Sequence, residues 1–373
     1  MTRPASLVND QWELVRQFLP QDLDNHARLH GAMRRQRGQI TSASQLLRLL
    51  LLHIAGGLSL EQTVARARMH GLADLNAMAL HKRLCSSGPW LCALTQYLLQ
   101  QVRPLLNDAE PRRLAGRRLG ILDATTISGP GSTGTDWRLH YSICLPELCC
   151  DFLELTDPSE AESVRRLDVR QGDLVLLDRA YNDRKAIAEV MECGASFILR
   201  YHSNGFPLVD SHGEAFELLP PLRKLPIGAV WEGAAFFANP RDKSKKHHRV
   251  RICALRKSPE AAGRAQRKMR SKARAKADRI RPQTLEYANY LIVVTDLGAG
   301  DLGTGSVLEF SRARWQVELA FKRLKTLLEL GQLPKKKASS SIAWMQGKIL
   351  CALLIEAILC EARNFSPWGY PIR

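Results

Sequence analysis

Residues 310–330 read FSRARWQVELAFKRLKTLLEL, and the interpretation of the whole chain starts from this stretch. It contains no Pro or Gly, and Gly331 and Pro334 follow it, which predicts one helix ending near residue 330. Apolar residues cover most of its surface. A narrow stripe of polar residues recurs at spacings of three and four, so its members share one side of the helix: Ser311, Arg314, Glu318, Lys322 and Lys325.

Two interpretations of this polar stripe remain open on pattern alone. The solvated face of an amphipathic helix is the commoner meaning of such a stripe. Here, however, apolar residues flank it on both sides, and cations outnumber the acid around Glu318. This favours a polyanion site, in which Glu318 lies among cations that hold phosphates, although structural ion pairs produce the same pattern.

The overall charge indicates a polyanionic partner. The 373 residues include 54 Lys and Arg against 37 Asp and Glu, a formal net charge of +17. Residues 241–281 alone hold 17 Lys and Arg against three acids. This balance favours nucleic acid first and an anionic membrane surface second. The length predicts two or three domains.

Cysteine usage and hydropathy indicate a protein of the reducing cytoplasm. The nine cysteines are odd in number and include no C-x-x-C pair, which argues against a disulfide framework and against a zinc site. The N-terminal residues contain no apolar signal core. The longest apolar runs, near residues 46–52 and 349–359, are too short to span a bilayer.

Residues 1 to about 110 are predicted to be all-helical. Gly56, Gly57 and Gly71 separate short apolar-periodic segments. One segment opens with Ser59 followed by Gln62 three residues later, the pattern of a capping box. Short helices joined by glycine turns are typical of a helix-turn-helix-like DNA reader. A plain helical bundle explains the same pattern equally well.

From about residue 118 the pattern changes to that of strands. Apolar runs at residues 119–127, 173–177 and 195–201, with a helix between the last two, predict a mixed sheet with helices packed against it. Asp123 and Asp178 lie on or just past two of these runs. A carboxylate in that position is costly unless it has a partner, and a metal ion is the usual partner of several carboxylates.

Residues 203–300 are predicted to form a smaller β-rich unit with a basic helix. Strands are expected at residues 216–219 and 229–238, and a helix from Ser258, as cap, to about Arg279. This helix has little apolar face. A solvated surface helix is one interpretation; contact with a DNA backbone is favoured on charge. The cations singled out for that contact are Arg267, Lys268, Arg270 and Lys272.

Asp123, Asp178 and Glu318 are a set that phosphodiester chemistry can use. Carboxylates can hold two Mg²⁺ ions, which stabilise the attacking and leaving oxygens of an in-line displacement. Three carboxylates with cations nearby match that demand. The spacing alone is a weak signal, because many acids follow strands.

Three segments together resemble a known family: ILDATTI around Asp123, DRAY at Asp178 and RARWQVELAFKRLK around Glu318. They are similar to bacterial insertion-sequence DDE transposases with the signature Tyr-x2-Arg-x3-Glu-x6-Lys (insertion sequence family four). Arg314, Glu318 and Lys325 match the signature. Ser311 occupies the place of its Tyr, which in the family contacts a terminal phosphate, and this departure concerns that contact and not the three acids.

The resemblance implies an α/β fold with an RNase H-like mixed-sheet catalytic core, a β-rich insertion and an all-helical N-terminal domain. It implies four parts: residues 1–112, which bind DNA ends, residues 113–202, the first part of the core, residues 203–300, the insertion, and residues 301–373, which complete the core. The three acids are expected to bind two Mg²⁺ ions, with Mn²⁺ as a substitute.

For the remaining site residues the resemblance implies DNA contacts. Arg314 and Lys325 would neutralise phosphate charge, with Lys322 and Ser311 beside them. Tyr290 lies 21 residues before Ser311, where the resemblance suggests a Trp that stacks on a flipped base. A core aromatic on a strand is an equally good interpretation of Tyr290.

The implied function is a DNA transposase. It would cut an insertion sequence at its terminal inverted repeats and join the 3′-hydroxyl ends to target DNA, acting as a homodimer on paired ends in the bacterial cytoplasm, at the nucleoid. Two alternatives remain: a decayed or repurposed copy that binds DNA without cutting, and an RNase H-like nuclease of another pathway.

Overall fold

The computed structural model describes residues 12–33, 39–108, 117–129, 131–132, 136–145, 149–239, 247–275, 277, 279–322, 324–325, 333 and 337–364. The helices are α1 Leu23–Leu29, α2 Ala43–Ala55, α3 Leu60–Met69, α4 Ala77–Ser86, α5 Gly88–Asp108, α6 Arg184–Glu192, α7 Leu219–Arg223, α8 Pro259–Ala275, α9 Pro282–Tyr287, α10 Thr304–Ala313, α11 Trp315–Lys322 and α12 Ala338–Asn364. The strands are β1 Leu119–Ile127, β2 Trp137–Leu145, β3 Cys149–Thr156, β4 Leu174–Leu177, β5 Ser196–Arg200, β6 Val230–Ala238, β7 His247–Arg256 and β8 Tyr290–Thr295.

These strands form one mixed sheet in the order β3-β2-β1-β4-β5-β8-β7-β6. The first three strands are an antiparallel meander, β4 runs parallel to β1, and β5 runs parallel to β4. The last three strands add on in antiparallel pairs. The prediction of a mixed α/β fold is therefore confirmed.

The strands of the expected β-rich insertion continue the central sheet instead of forming a separate unit. β8 pairs with β5 on one side and with β7 on the other. The strand predicted at residues 216–219 is wrong. Leu219 begins the short helix α7, where Pro220 and Pro221 occupy the first turn. Proline has no N–H to donate to a strand ladder, and it is well accommodated at a helix start.

The sheet separates two hydrophobic cores. All four residues of β4 are buried, and they alternate between the cores because successive side chains on a strand point to opposite faces. Leu174 and Leu176 belong to the core that also contains the N-terminal helices. Val175 and Leu177 belong to the other core, with residues of α6 and the middle of β7. This alternation explains why β4 reads as a continuous apolar run.

The N-terminal helices and the C-terminal helix share one core. Helix α12 packs against α5, α2 and α4, and Leu46, Leu350 and Leu174 lie in the same cluster. The helical prediction for residues 1–110 is confirmed for the described residues, and Ser59 forms the expected capping box with Gln62. The four-part division of the chain stays a prediction, and its first and last parts meet in this core.

One described segment, Ala338–Leu359, is long and apolar enough to cross a membrane, but 72% of its apolar window is buried inside the protein. The sequence predicted an apolar run near residues 349–359 that is too short to span a bilayer. In the structure this run belongs to a longer helix, which begins at Ala338. Its burial against the N-terminal helices is that of a core helix.

The stretch that was expected to be one helix is two helices joined at Arg314. α10 starts at Thr304, before the expected start, and ends at Ala313; α11 follows at once. The Val317 N–H donates to the Arg314 carbonyl at 3.2 Å, a bond to the third preceding residue that tightens the chain here. Residues 326–330, the predicted end of the helix, lie outside the described residues.

The basic helix α8 forms as predicted but is shorter. The Ser258 hydroxyl accepts a hydrogen bond from the Ala261 N–H at 3.3 Å, which confirms Ser258 as the cap. The helix ends at Ala275 and not near residue 279. Ala277 has φ of 51°, in the left-handed region, which is incompatible with continuing the helix.

Candidate active site

The sheet places Asp123 and Asp178 side by side. β1 and β4 are parallel neighbours, and Leu122 pairs with Leu177 in their register. The next residue of each strand is an aspartate. Paired positions on neighbouring strands point to the same face, with the strands about 4.8 Å apart. The two carboxyl groups therefore meet where β4 ends beside the middle of β1.

Arg314 joins these two acids to Glu318. Its Nη1 lies 2.9 Å from Asp123 Oδ2, and its Nε lies 3.7 Å from Asp178 Oδ1. Its Nη2 lies 2.6 Å from Glu318 Oε1, one helical turn later. Helix α11 packs against β1 and β2, which fixes the turn at Arg314 above the strand ends. The structure thus brings together the three acids predicted from sequence, around one guanidinium.

Burial acts most strongly on Asp123. Its side chain is 16% exposed, against 60% for Glu318. Burial raises the pKa of Asp123 to about 6, although the Ala124 N–H and Arg314 act to lower it, while the charges of Asp178 and Glu162 add to the rise. A carboxyl group with this pKa ionises readily at neutral pH once a cation faces it.

The donor chemistry of the three acids fits a divalent metal ion. Carboxylate oxygens are hard ligands, and three of them around one guanidinium leave a formal surplus of negative charge. Asp178 Oδ1 is buried and has no hydrogen-bond partner among the described residues. No group of three or more acids, His or Cys in the described part of the chain is spaced to hold an ion as it stands. In this structure the Arg314 guanidinium lies between the carboxylates, where a metal ion would bind.

Sequence reasoning missed a fourth acid, Glu162, in the segment after β3. Its carboxylate lies 3.9 Å from Arg138 on β2 and is 24% exposed. Burial raises the pKa of Glu162, Arg138 lowers it, and the charge of Asp178 raises it further. Glu162 also acts on Asp123, so it faces the same site. No spacing or apolar run identifies Glu162 in the sequence, because it lies in a segment without helix or strand that reaches the site.

The other residues of the polar stripe differ in their surroundings. Ser311 is half-buried on α10, three residues before Arg314, and Lys322 is exposed at the end of α11. Lys325 is half-buried, and burial lowers its pKa. Arg314 pairs with carboxylates in this structure, so its predicted contact with phosphate stays a prediction, as do those of Ser311, Lys322 and Lys325.

Tyr290 does not offer a stacking surface. It is the first residue of β8, it is 3% exposed, and it belongs to the second core. A base cannot stack on a ring that is enclosed by core side chains, so the prediction of Tyr290 as a stacking platform is wrong. The alternative interpretation, a strand aromatic in the core, is what the structure has.

The cations predicted to contact DNA on α8 are available to a partner. Arg267, Lys268, Arg270 and Lys272 are all exposed. One residue of this 17-residue helix, Ala262, is buried. The helix thus presents its charge to solvent, and contact with DNA stays a prediction for these four residues.

Comparison with known proteins gives consistent matches over nearly the whole chain. The family described as "Transposase DDE domain" matches residues 155–354, which include Asp178, Arg314 and Glu318. InsL, the transposase assigned to insertion sequence element IS186A of Escherichia coli strain K12, is 33% identical over 365 residues, 96% of each chain. The transposase for insertion sequence element IS421 of Escherichia coli is 33% identical over 366 residues, also 96% of each chain.

One solved structure that the comparison matches is a piggyBac transposase synaptic complex with hairpin DNA. The TM-score is 0.49 and the sequence identity is 9%, over 97% of this chain and 74% of that chain.

Proposed function

Because the chain belongs to the insertion-sequence transposases that carry a DDE domain, we propose that it cuts its element at the terminal inverted repeats and joins the freed 3′-hydroxyl ends to target DNA. The observation that carries this proposal is the meeting of Asp123, Asp178 and Glu318 around Arg314. We propose Mg²⁺ as the metal, held by these three acids, with Mn²⁺ as a substitute.

The strand order supports an RNase H-like core. An antiparallel meander β1-β2-β3 with β4 and β5 added in parallel beside β1 brings an acid from β1 and an acid from β4 to one edge. Glu318 reaches the same edge from a helix far along the chain. In this proposal the last three strands of the sheet are an insertion between the second Asp and the Glu that extends the core.

Each residue of the site has a distinct task in the proposed reaction. Two bound Mg²⁺ ions would supply charge stabilisation for the attacking and leaving oxygens. Asp123, Asp178 and Glu318 would hold these ions. Arg314 neutralises the acids in the absence of metal, and its guanidinium would be available to pair with a phosphate when a metal is bound. Ser311 on α10, Lys322 at the end of α11 and Lys325 just beyond it would contact the DNA backbone.

DNA binding would extend beyond the acids. The exposed cations Arg267, Lys268, Arg270 and Lys272 on α8 contact the backbone, and the N-terminal helices recognise the repeat. Because two ends must be joined, the protein acts as a homodimer on paired ends. Its place of action is the cytoplasm, on chromosomal DNA.

The test is Mg²⁺-dependent nicking of a labelled duplex that carries the terminal repeat of the element that encodes the chain. Wild type is expected to nick at the repeat boundary, and Glu318→Gln is expected to lose this activity. Glu309→Gln, at an exposed position on α10, is the matched control and keeps it. Nicking of random duplex at the same rate would instead identify a general nuclease.

Ser311→Tyr tests whether this copy is disabled. An active wild type shows that a serine suffices at the signature position. A wild type that binds the repeat without nicking it, beside a Ser311→Tyr variant that nicks, would overturn the proposal in favour of a decayed copy that binds DNA.

A further inference from the structure

A group of cations lies next to the three acids along the same edge of the sheet. The carboxyl ends of β4, β5 and β7 point in one direction, since β5 and β7 are both antiparallel to β8. Arg179 follows β4, Arg200 ends β5, and Lys257 follows β7. This end of the sheet, at the carboxyl ends of β4, β5 and β7, therefore has acidic residues near β1 and β4 and basic residues from β4 to β7.

These three cations are half-buried and have few polar partners among the described residues. Arg179 Nε and Arg200 Nε are buried and have no hydrogen-bond partner among the described residues. The ammonium of Lys257 donates to the carbonyl of Ala288 at 2.8 Å. The one ion pair of the three cations within the described part of the chain is Arg200 Nη1 with Asp178 Oδ1, at 3.9 Å.

The cations also act on one another. Burial, together with the charges of Arg200 and Arg179, lowers the pKa of Lys257 to about 8. Asp178 cannot offset all three, because Arg314 already lies 3.7 Å from the same oxygen. Partial burial of a cation is costly, and repulsion from neighbouring cations adds to that cost. An anion bound between the three side chains would offset it.

We propose that Arg179, Arg200 and Lys257 form a phosphate-binding site for the DNA strand where it runs past the acids. This rests on the proposed function, because the acids define where the strand is cut. The site extends over the strands from β4 to β7, three spacings of about 4.8 Å. A backbone that enters over the acids meets these cations next, so the site sets which phosphate faces Asp178.

The experiment combines a protein variant with single changes in the DNA. Duplexes that carry the terminal repeat receive one methylphosphonate, which removes the charge of one phosphate, at successive positions on both sides of the repeat boundary. Affinity for wild type and for Lys257→Met is measured by fluorescence anisotropy without divalent metal, so that no strand is cut. Methionine keeps the apolar stem of the side chain and removes its charge.

At one or two positions we expect the methylphosphonate to weaken wild-type binding by about 5- to 10-fold. Lys257→Met should bind the unmodified duplex correspondingly less well and lose nothing more at those positions, since the contact is already absent. Lys257→Arg should restore the wild-type pattern. Lys185→Met is the matched control, because Lys185 pairs with Glu189 on α6, and it should behave as wild type.

Equal methylphosphonate losses for wild type and Lys257→Met at every position would overturn the phosphate site. The Lys257→Arg protein guards against a folding defect in the methionine variant. A wild type that shows the coupling but never nicks with Mg²⁺ would overturn the cutting activity and leave the phosphate site standing. A wild type that nicks with Mg²⁺, but whose methylphosphonate losses are the same as those of Lys257→Met, would support the cutting activity and overturn the phosphate site.

Discussion

Asp123 is the residue on which burial has the clearest consequence. Its pKa is raised to about 6 from 3.8 in the fold, so the folded protein binds a proton between these values that the unfolded chain has released. Stability is therefore highest at low pH in this range and falls as pH rises through about 6. Without divalent metal, we expect the wild type to lose up to about 3 kcal/mol of unfolding free energy relative to Asp123→Asn between pH 4 and pH 7.5.

Urea unfolding of both proteins in chelator, at several pH values, measures this difference. Asp168→Asn is the control, because Asp168 is exposed and pairs with Arg170 at the surface. An unfolding free energy of wild type that keeps a constant offset from Asp123→Asn over the whole range would contradict the raised pKa of Asp123.

Arg314 gives a prediction about metal removal. In Arg314→Gln the three carboxylates face one another without a guanidinium, and loss of one partner from a buried ion pair costs about 3–5 kcal/mol. The metal-free variant should melt at a lower temperature, and Mg²⁺ should raise its melting temperature more than that of wild type. Thermal unfolding with and without Mg²⁺ measures both. Arg312→Gln, at an exposed position on α10, should respond like wild type. An equal Mg²⁺ response in all three proteins would contradict the role of Arg314 in pairing with the three acids.

Glu162 should tune the acid site without holding the reacting strand. Glu162→Gln removes a negative charge that acts on Asp123 and Asp178. The pKa of Asp123 then falls, so the acid limb of the nicking rate against pH should move to lower pH by about half a unit. Glu160→Gln, at a side chain that is 55% exposed and pairs with Arg166, should leave the profile in place. The same pH profile for all three proteins would show that the charge of Glu162 does not act on Asp123.

At the scale of elements, the local sequence pattern predicted where the strands lie but not which strands pair with each other. β1 occupies the predicted residues 119–127, and β4 occupies residues 174–177 of the predicted run 173–177, because each is an apolar run of β-forming residues. The joining of β6 and β7 to the central sheet depends on pairing between β5 and β8, which are about a hundred residues apart, and no local pattern encodes it. The meeting of Asp123 and Asp178 follows from a strand register of the same long-range kind.

The break between α10 and α11 is a second feature that pattern could not predict. The residues around Arg314 contain neither Pro nor Gly and keep a helical period throughout. The tightened turn coincides with the contacts of Arg314 to acids on two other elements. Tertiary contact overrides local preference here, at the residue where the chemistry is proposed.

Helix α8 carries the prediction about salt. Replacing Arg267, Lys268, Arg270 and Lys272 by Gln should weaken DNA binding and reduce the slope of log affinity against log salt by about 0.9 for each phosphate that the variant no longer neutralises. The fold should persist, since all four side chains are exposed. The control exchanges Arg for Lys and Lys for Arg at the same positions, which keeps the charge. Binding titrations from low to high salt measure the slopes, and an unchanged slope in the Gln variant would exclude α8 from the DNA interface.

At the scale of the whole molecule, the close approach of α12 to α2 holds the N-terminal and C-terminal parts together. A Cβ on Gly347 would lie 2.4 Å from Ile54 Cδ1. Gly347→Ala gains about 1 kcal/mol in helix propensity but overpacks the contact, which typically costs about 1–3 kcal/mol. We expect a lower melting temperature, and partial recovery in Gly347→Ala with Ile54→Val, which lacks Cδ1. Strictly additive effects of the two substitutions in thermal unfolding would show that this contact is not tight.

Because the sheet is continuous, it would fix the distance between two contacts with DNA. The acids at β1 and β4 and the base of α8, which directly follows β7, belong to one hydrogen-bonded frame with no linker between them. A backbone gripped along α8 would then be presented to Asp123 and Asp178 at a fixed number of nucleotides from the grip. A DNA-binding arm on a flexible linker would allow cuts at several neighbouring positions, whereas a rigid connection of this kind would favour a single position. The number of strands between α8 and the acids would thereby determine the number of nucleotides between the DNA contact and the cut.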